Sequence, residues 1–270
     1  QGFSGYHLKM IALVTMLIDH IAAVAIWRLF EASYMLKAST QMSDYWGDKL
    51  IVWFAENREM MYTIYENMRL IGRMAFPIYC FLLVEGFLHT RNVPKYAFRL
   101  FLFALISEIP FDFALEGSLW SPTYNNVFFT LFLGLLCINC LNWLETMFEK
   151  WKEKKGDVFI GSCVKYFLFF VVIYGMGIVA EEMLMTDYGM AGVIAIAVIW
   201  LFRENRTLGF SGSILVLGLL SSSTEYLAIA MLPFIMKYNG TRGKQVKYLF
   251  YAFYPIHLFV LGVVCMLIGV

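Results

Sequence analysis

Nine apolar stretches, most of them long enough to cross a lipid bilayer, dominate this sequence and restrict its fold. They cover residues 10–30, 70–89, 96–115, 126–148, 159–180, 188–202, 208–221, 224–238 and 247–269. A transmembrane helix needs about 20 apolar residues, which the first five stretches and the ninth provide; the sixth to eighth are short and are expected to be tilted or kinked. Only 15% of the residues are charged, against about 25% in soluble domains. The sequence therefore predicts an all-α polytopic transmembrane helical bundle of about nine to ten membrane helices, as a single domain over 1–270.

Basic and acidic connections alternate between these stretches. The connections around 91–99, 149–157, 203–206 and 237–247 are rich in lysine and arginine, whereas "FALEGSLWSP", "EEMLMTD" and "SSSTE" carry acids and neither lysine nor arginine. Because cytoplasmic loops carry the excess of basic residues, the N-terminus is predicted inside and the C-terminus outside. Segment 31–69 is then expected to be an extracytoplasmic amphipathic loop, part of which could lie on the membrane surface.

Asp19 and His20 stand next to each other in the middle of the first stretch, where an ionisable side chain costs about 2.5–3.5 kcal/mol. At about 1.5 Å per helical residue, His20 lies about 16 Å from Lys9, and His257 lies about 15 Å from Lys247. The two histidines are therefore predicted at similar depth. Neighbouring residues of a helix point about 100° apart, so the group that orients His20 is expected on another helix. Each histidine could instead make a single structural hydrogen bond.

Further polar side chains could orient His20 from another helix. They are Glu85, Glu108 and Asp112, with Asn125 and Asn126 at the start of the fourth stretch as further candidates. Glu108 and Asp112 could equally mark a helix end near the outer face, whereas Glu85 finds few partners in hydrocarbon. Arg73 could pair with one of these acids.

Basic residues collect at the predicted cytoplasmic face. They are Lys9, Arg91, Lys95, Arg99, Arg242, Lys244 and Lys247, with His89 close by in sequence. Membrane orientation alone explains them. Alternatively, they could bind an anionic cosubstrate such as the phosphates of coenzyme A, and the two glycines of "YNGTRGKQVKY" favour this because they let the backbone approach phosphates.

Long motifs in order resemble the TraX family, which is named for a membrane protein that acetylates the N-terminal amine of conjugative pilin. They are "LKMIALVTMLIDHIA", "RLIGRMAFPIYCFLLVEGFLHTRNVPKYAFRLFLFALISEIPFDFA", "NNVFFTLFLGLL" and "YNGTRGKQVKYLFYAFYPIHLFVL". The likeness extends, more distantly, to acyltransferase-3 enzymes and heparan-α-glucosaminide N-acetyltransferase. In acyltransferase-3 enzymes a basic residue precedes an essential histidine by eleven positions, a spacing that Lys9 and His20 keep here with lysine in place of the usual arginine.

The resemblance implies a multi-pass protein of the bacterial cytoplasmic membrane that binds acetyl-CoA from the cytoplasm. His20 would act as the general base for an amine or hydroxyl of an acceptor, by direct transfer, with Asp19, Glu85 and His257 as further catalytic candidates. Asn126 or Tyr254 would hold the oxyanion. The acceptor stays open among a peptide, a glycan, an amino sugar and a lipid headgroup, and a homodimer stays open as the assembly. No metal and no nucleic acid are expected.

Two other functions remain compatible with the residues. A proton-coupled transporter or flippase could use Asp19, His20, Glu85 and His257 as a relay, but it would have no need of the basic residues at the cytoplasmic face. A scaffold subunit of a secretion machine would have no need of buried ionisable residues.

Overall fold

The computed structural model describes residues 2–36, 45–156, 159–244 and 247–270, without the side chains of residues 36, 155, 247 and 248. The described residues form α1 (Gly5–His20), α2 (Trp27–Leu36), α3 (Trp46–Glu56), α4 (Arg58–Gly72), α5 (Ala75–Leu88), α6 (Val93–Leu115), α7 (Val127–Lys155), α8 (Phe159–Ile178), α9 (Gly189–Leu201), α10 (Arg206–Leu220), α11 (Leu232–Met236) and α12 (Lys247–Ile268). Two π-helical segments, Ile21–Ile26 and Val179–Met183, and a 3₁₀ helix, Ser223–Met231, complete the described secondary structure. Residues 37–44 of the predicted 31–69 loop lie outside the described residues.

Five helical segments of the described chain are long and apolar enough to cross a membrane. They are Gly5–Met35, Arg58–Leu88, Val127–Lys154, Phe159–Met183 and Leu249–Ile268. They correspond to the first, second, fourth, fifth and ninth predicted stretches, and the three short stretches form the shorter apolar helices Gly189–Leu201, Arg206–Leu220 and Ser223–Met236. The third stretch forms α6, which carries Arg99, Glu108 and Asp112 and is not among the five. The all-helical, multi-pass prediction is confirmed, and the count of nine to ten crossings stays a prediction.

The chain forms two compact units. The first unit comprises Gln1–Phe76, Ile106–Ser121 and Tyr238–Val270. In it, α1, the π-helical segment Ile21–Ile26 and α2 follow one another without a break. Helix α4 packs along α1 and the π-helical segment, and α12 packs against the π-helical segment and α3. A buried cluster that includes Ile26, Phe30, Phe54 and Ile268 joins these helices.

The second unit comprises Pro77–Leu105 and Pro122–Lys237. Helices α7, α8 and α9 pack against one another, and α10 packs against α9 and the 3₁₀ helix. Gly134 of α7 faces Ile196 of α9 so closely that a Cβ at position 134 would overlap the isoleucine side chain. This close approach buries Leu135, Ile138 and Ile196 completely, and the resulting van der Waals packing of the two helices stabilises the unit.

Helix α4 occupies the second half of the segment that was expected to be an amphipathic loop. Its inward face carries Met61, Tyr65 and Met68, which pack against the buried cluster of the first unit. Met60 and Ile64 are exposed. The spacing of the inward residues is i, i+4 and i+7, so one face of a 3.6-residue helix accounts for them.

Candidate active site

The centre of the candidate site is a pair of histidines from the first and last long helices of the first unit. His20 is the final residue of α1, and the π-helical segment begins directly after it. Its Nδ1 lies 2.7 Å from Nε2 of His257 on α12, and the two rings stack with their centroids 4.9 Å apart. His257 is buried at 6% exposure, whereas His20 is half-buried. The predicted similar depth of the two histidines is confirmed by this contact.

The hydrogen bonds of the pair determine where each proton lies when both rings are neutral. Nδ1 of His257 lies 2.7 Å from the carbonyl oxygen of Phe253, which can only accept, so Nδ1 of His257 carries the proton. Nε2 of a neutral His257 then holds a lone pair and accepts a hydrogen bond from Nδ1–H of His20. Nε2 of His20 is therefore left with a lone pair, which is the atom that can take up a proton.

Aromatic rings surround the two histidines. Phe253 stacks on His257 with centroids 4.7 Å apart. The ring of Tyr254, which is 3% exposed, meets the rings of His20 and His257 edge-on at 5.7 Å. These rings restrict the rotation of both imidazoles and bring a phenol within reach of the space beside His20.

Asp19 belongs to a different face of the same helix. Its Oδ2 accepts a hydrogen bond from Nη1 of Arg69 at 2.7 Å. Gly72, one turn beyond Arg69 on α4, leaves room for this carboxylate, since a Cβ at position 72 would overlap it. Asp19 and His20 therefore engage different helices, as the angle between neighbouring helical residues requires.

The expectation that an acid holds His20 is wrong, because the Nδ1 partner of His20 is His257. The acids have other partners. Asp112 accepts from the backbone N–H of Ser121 at 2.7 Å. In the second unit, Oε1 and Oε2 of Glu85 accept from Nε and Nη2 of Arg206 at 3.0 and 3.3 Å.

Asn126 caps α7 in the second unit. Its Oδ1 accepts from the backbone N–H of Phe128 at 3.0 Å, and its Nδ2 donates to the carbonyl of Ala104 at 2.8 Å. This fully buried side chain thus caps the first turn of α7, as N-cap asparagines commonly do. Its proposed contact with an oxyanion stays a prediction.

Part of the predicted cosubstrate site lies in the first unit, at the N-terminus of α1. The backbone N–H of Gly5 donates to the carbonyl of Thr241 at 2.8 Å, which ties the loop that carries Arg242 and Lys244 to this helix end. Gly243 has a φ of +66°, and a Cβ there would overlap Ser4. Lys9 lies 5.2 Å from the ring centroid of Phe250. The side chain of Lys247 is outside the described residues.

The remaining predicted cosubstrate residues lie in the second unit. Nδ1 of His89 donates to the carbonyl of Glu85 at 2.8 Å. The guanidinium of Arg99 lies 5.8 Å from the ring of Tyr96, and Arg91 and Lys95 are exposed. The exposed cations remain accessible to an anionic ligand.

Three residues that matter for the site were not identified from the sequence. Arg69 holds Asp19, although the sequence predicted no partner for this carboxylate. Arg206 holds Glu85, although it was interpreted only as an orientation signal. The backbone carbonyl of Phe253 fixes the proton on His257. The last contact had a sequence signal, because a residue four positions before a histidine in a helix presents its carbonyl to that turn.

Comparison with known proteins places these features in a family. The family model described as "TraX protein" matches residues 4–265. The chain is also similar to a protein of Dichelobacter nodosus named "Probable fimbrial assembly protein FimC, serogroup H1", with 25% identity over 281 residues that cover 95% of this chain and 93% of the relative. No solved structure matches the chain.

Proposed function

The chain belongs to the TraX protein family, and from that premise we propose that it is an acetyl-CoA-dependent acetyltransferase of the bacterial cytoplasmic membrane. The observation that carries the proposal is the histidine pair. His20 presents a lone pair at Nε2, and its other nitrogen is held by the buried His257. A base held by a second group in this way is the arrangement that nucleophilic acyl transfer uses repeatedly.

In the proposed reaction, an amine or hydroxyl of the acceptor attacks the thioester carbonyl of acetyl-CoA. The proton of the nucleophile passes to Nε2 of His20 while the new bond to the carbonyl carbon forms. The carbon–sulfur bond then breaks, and the coenzyme A thiolate leaves and takes the proton back from His20. During the step His20 carries a positive charge and continues to donate from Nδ1 to His257, which therefore stabilises the imidazolium.

An oxyanion donor is expected beside the reacting carbonyl. Tyr254 is the candidate within the unit that holds His20, because its ring lies 5.7 Å from the imidazole. Asn126 is the weaker candidate, since its amide already donates to the carbonyl of Ala104.

The cosubstrate is proposed to bind with its phosphates at the cytoplasmic end of α1. Lys9 precedes His20 by eleven residues, about 16 Å along a helix, so an extended pantetheine arm could carry the thioester from these phosphates to His20. Arg242 and Lys244, on the loop tied to this helix end, would add positive charge there. Arg91 and Lys95 of the second unit are the other candidates for the phosphates.

A peptide amine is the acceptor that the comparisons favour. The Dichelobacter nodosus relative is named as a fimbrial assembly protein, and fimbriae are built from protein subunits. We therefore propose a pilus subunit as the first acceptor to test, with an amino sugar, a glycan hydroxyl and a lipid headgroup as the other members of the panel.

A proton relay for transport has less support. Its two carboxylates, Asp19 and Glu85, each form an ion pair with an arginine, Arg69 and Arg206 respectively. A relay through either carboxylate would have to break its ion pair, which leaves an arginine without its partner at each step.

Labelled acetyl-CoA and the acceptor panel test the proposal on purified protein. We expect the native protein to transfer the label, and His20→Gln to lower turnover by about 10²–10⁴-fold while acetyl-CoA still binds. Glutamine keeps a hydrogen bond to His257 but cannot accept the proton. Transfer at the native rate by a folded His20→Gln protein would remove His20 as the base, and absence of transfer to every acceptor would overturn the proposed activity.

A further inference from the structure

A cavity of about 640 Å³ opens on the first unit, on the same continuous helix as His20 but further along it. Its lining residues, here called the aromatic pocket, are Trp27, Phe30, Glu31, Tyr34, Arg58, Glu59, Tyr62 and Thr63. The volume falls within the range of about 300–1,000 Å³ that is usual for small-molecule sites. None of these residues belongs to the histidine pair or to the predicted cosubstrate site.

The sequence positions explain why these side chains meet. The four from α2 follow the spacing i, i+3, i+4 and i+7, which places them on one face of that helix. The four from α4 belong to its first two turns. Helix α4 packs along α1 and the π-helical segment, so its first turns come to lie beside α2.

Aromatic rings form the walls of the pocket. Phe30 meets Tyr62 edge-on with centroids 6.1 Å apart, and Tyr65 meets both Phe30 and Trp27 at 6.0 and 5.9 Å. The faces of aromatic rings attract cations. The pocket already shows this preference, because the guanidinium of Arg58 lies 3.6 Å from the ring centroid of Tyr34.

The charges of the pocket also favour a cation. Glu31 and Glu59 supply two carboxylates against the single guanidinium of Arg58, which leaves one negative charge. Oε1 of Glu31 accepts from the indole N–H of Trp27 at 3.1 Å. Within the described part of the chain, neither glutamate forms an ion pair with Arg58.

We propose that the aromatic pocket binds a cationic group, a protonated amine or a guanidinium, of the acceptor. The identification of the ligand as the acceptor rests on the proposed function, whereas the binding of a cation rests on the pocket alone. Trp27 follows His20 by seven residues, about 10 Å along the helix, and Lys9 lies eleven residues in the other direction. The pocket and the proposed cosubstrate phosphates therefore lie towards opposite ends of one helix, with the base between them.

This position separates two requirements of the acceptor. The nucleophile must be neutral when it attacks, whereas the pocket selects a positive charge. A cation held about 10 Å or more from His20 serves as a handle that positions a longer acceptor without being the group that reacts.

Direct binding tests the pocket without acetyl-CoA. The probe is butyltrimethylammonium, compared with its neutral carbon analogue, and binding to the protein in detergent micelles is followed by saturation-transfer NMR. We expect the cation to bind and the neutral analogue not to bind. The double variant Glu31→Gln/Tyr62→Leu should lower the affinity of the protein for the cation by about 2- to 30-fold. Its matched control, Glu153→Gln/Tyr166→Leu, alters an exposed glutamate and an exposed tyrosine outside the pocket and should bind as the native protein does.

Equal binding of the cation to both double variants would overturn the proposal, as would equal binding of the neutral analogue to the native protein. Thermal unfolding shows whether the pocket variant is folded; both of its substituted side chains are exposed, so little loss of stability is expected. Competition of phosphatidylethanolamine in nanodiscs with the probe would identify a lipid headgroup as the ligand, and absence of acetyl transfer to that lipid would then overturn the assignment to the acceptor.

The acceptor is tested by acetyl transfer to two peptides with free amino termini. One carries trimethyllysine, which cannot itself be acetylated, and the other carries its neutral tert-butyl isostere. Preference for the trimethyllysine peptide that disappears in Glu31→Gln/Tyr62→Leu supports the proposal, and equal transfer to the two peptides overturns it. If neither peptide is acetylated although the probe still binds, the assignment of the ligand to the acceptor is overturned. That result also counts against acetyl transfer to peptides in the proposed function. The binding of a cation in the pocket would be unaffected.

Discussion

Replacing His257 with leucine removes the acceptor of the hydrogen bond from Nδ1 of His20 and leaves most of the volume filled. In the native protein Nδ1–H is held by His257 at 2.7 Å, so the lone pair lies on Nε2. Leucine offers no acceptor, and the proton of His20 can then move to Nε2. We expect the variant to lose both the preference for one tautomer and the fixed orientation of the ring.

The expected size of the effect follows from this one hydrogen bond. A net contribution of about 1 kcal/mol per bond corresponds to about a fivefold change in the ratio of the two tautomers. Loss of orientation adds to this, and we take its size from groups that orient metal-bound histidines, whose removal typically costs about 10–100-fold in activity. The turnover of His257→Leu should therefore fall by about 10–100-fold, or about 1.4–2.7 kcal/mol in the activation barrier, with acetyl-CoA binding unchanged.

The measurement combines kinetics with ¹⁵N NMR of protein labelled at histidine, which is tractable because the chain has only 4 histidines. The native spectrum should show His20 protonated at Nδ1, and His257→Leu should show the proton shared with Nε2. His257→Gln should keep most of the native tautomer and rate, because its amide oxygen can accept from Nδ1–H. Cys265→Ala, also buried on α12, controls for altered packing of that helix.

Two results would refute the reasoning. The first is a native His20 that carries its proton on Nε2, since no lone pair would then be available at the proposed atom. The second is a His257→Leu protein with native turnover, because the orientation of His20 would then be irrelevant to the rate. The NMR result stands whether or not an acceptor has been found, so a failed tautomer prediction and a failed activity are distinguishable.

Removing charge at Arg242 and Lys244 together should weaken acetyl-CoA binding, more at low salt than at high salt because exposed charges are screened; unchanged affinity in calorimetry would leave them as orientation signals only. A cysteine introduced at Glu182 should react with an impermeant reagent added to intact cells and one at Lys244 should not, and the opposite pattern would reverse the predicted orientation. Arg206→Met should lower the stability of the protein by about 1–3 kcal/mol in thermal unfolding, because Glu85 would be left buried without its partner. Adding Glu85→Gln should restore most of that loss, and an equally unstable double variant would contradict the importance of this ion pair.

The sequence was sufficient for the depth of the two histidines but not for the direction in which each side chain points. Depth follows from helical rise and from the location of the basic ends, and the contact of His20 with His257 agrees with that count. The partner helix does not follow, because the first helix is apolar around most of its circumference and its local pattern does not say which neighbour each face meets. Arg69 as the partner of Asp19 could therefore be found only in three dimensions.

The acids illustrate the same limit in another form. The sequence singled out Glu85 and Asp112 as acids within apolar stretches, and both are buried, at 6% and 0% exposure. Their actual partners are an arginine at the start of α10 and a backbone N–H nine residues along the chain. Both contacts depend on tertiary packing and loop geometry, which composition and periodicity do not encode.

The π-helical segment Ile21–Ile26 gives the first long helix two separate angular registers. Trp27 follows His20 by seven residues. In an uninterrupted α-helix its side chain would therefore point within about 20° of the direction of the His20 side chain. A π turn accommodates roughly one additional residue, which offsets every later side chain by about 100°. His20 can therefore point to α12 while Trp27, Phe30 and Tyr34 point to α4, as the contacts require. Deleting one residue within this segment would therefore remove the π turn and leave the pocket side chains facing α4. Closing the π turn into a regular α-helix without a deletion would instead swing them away from α4 by about 100°, although every one of them would still be present in the sequence.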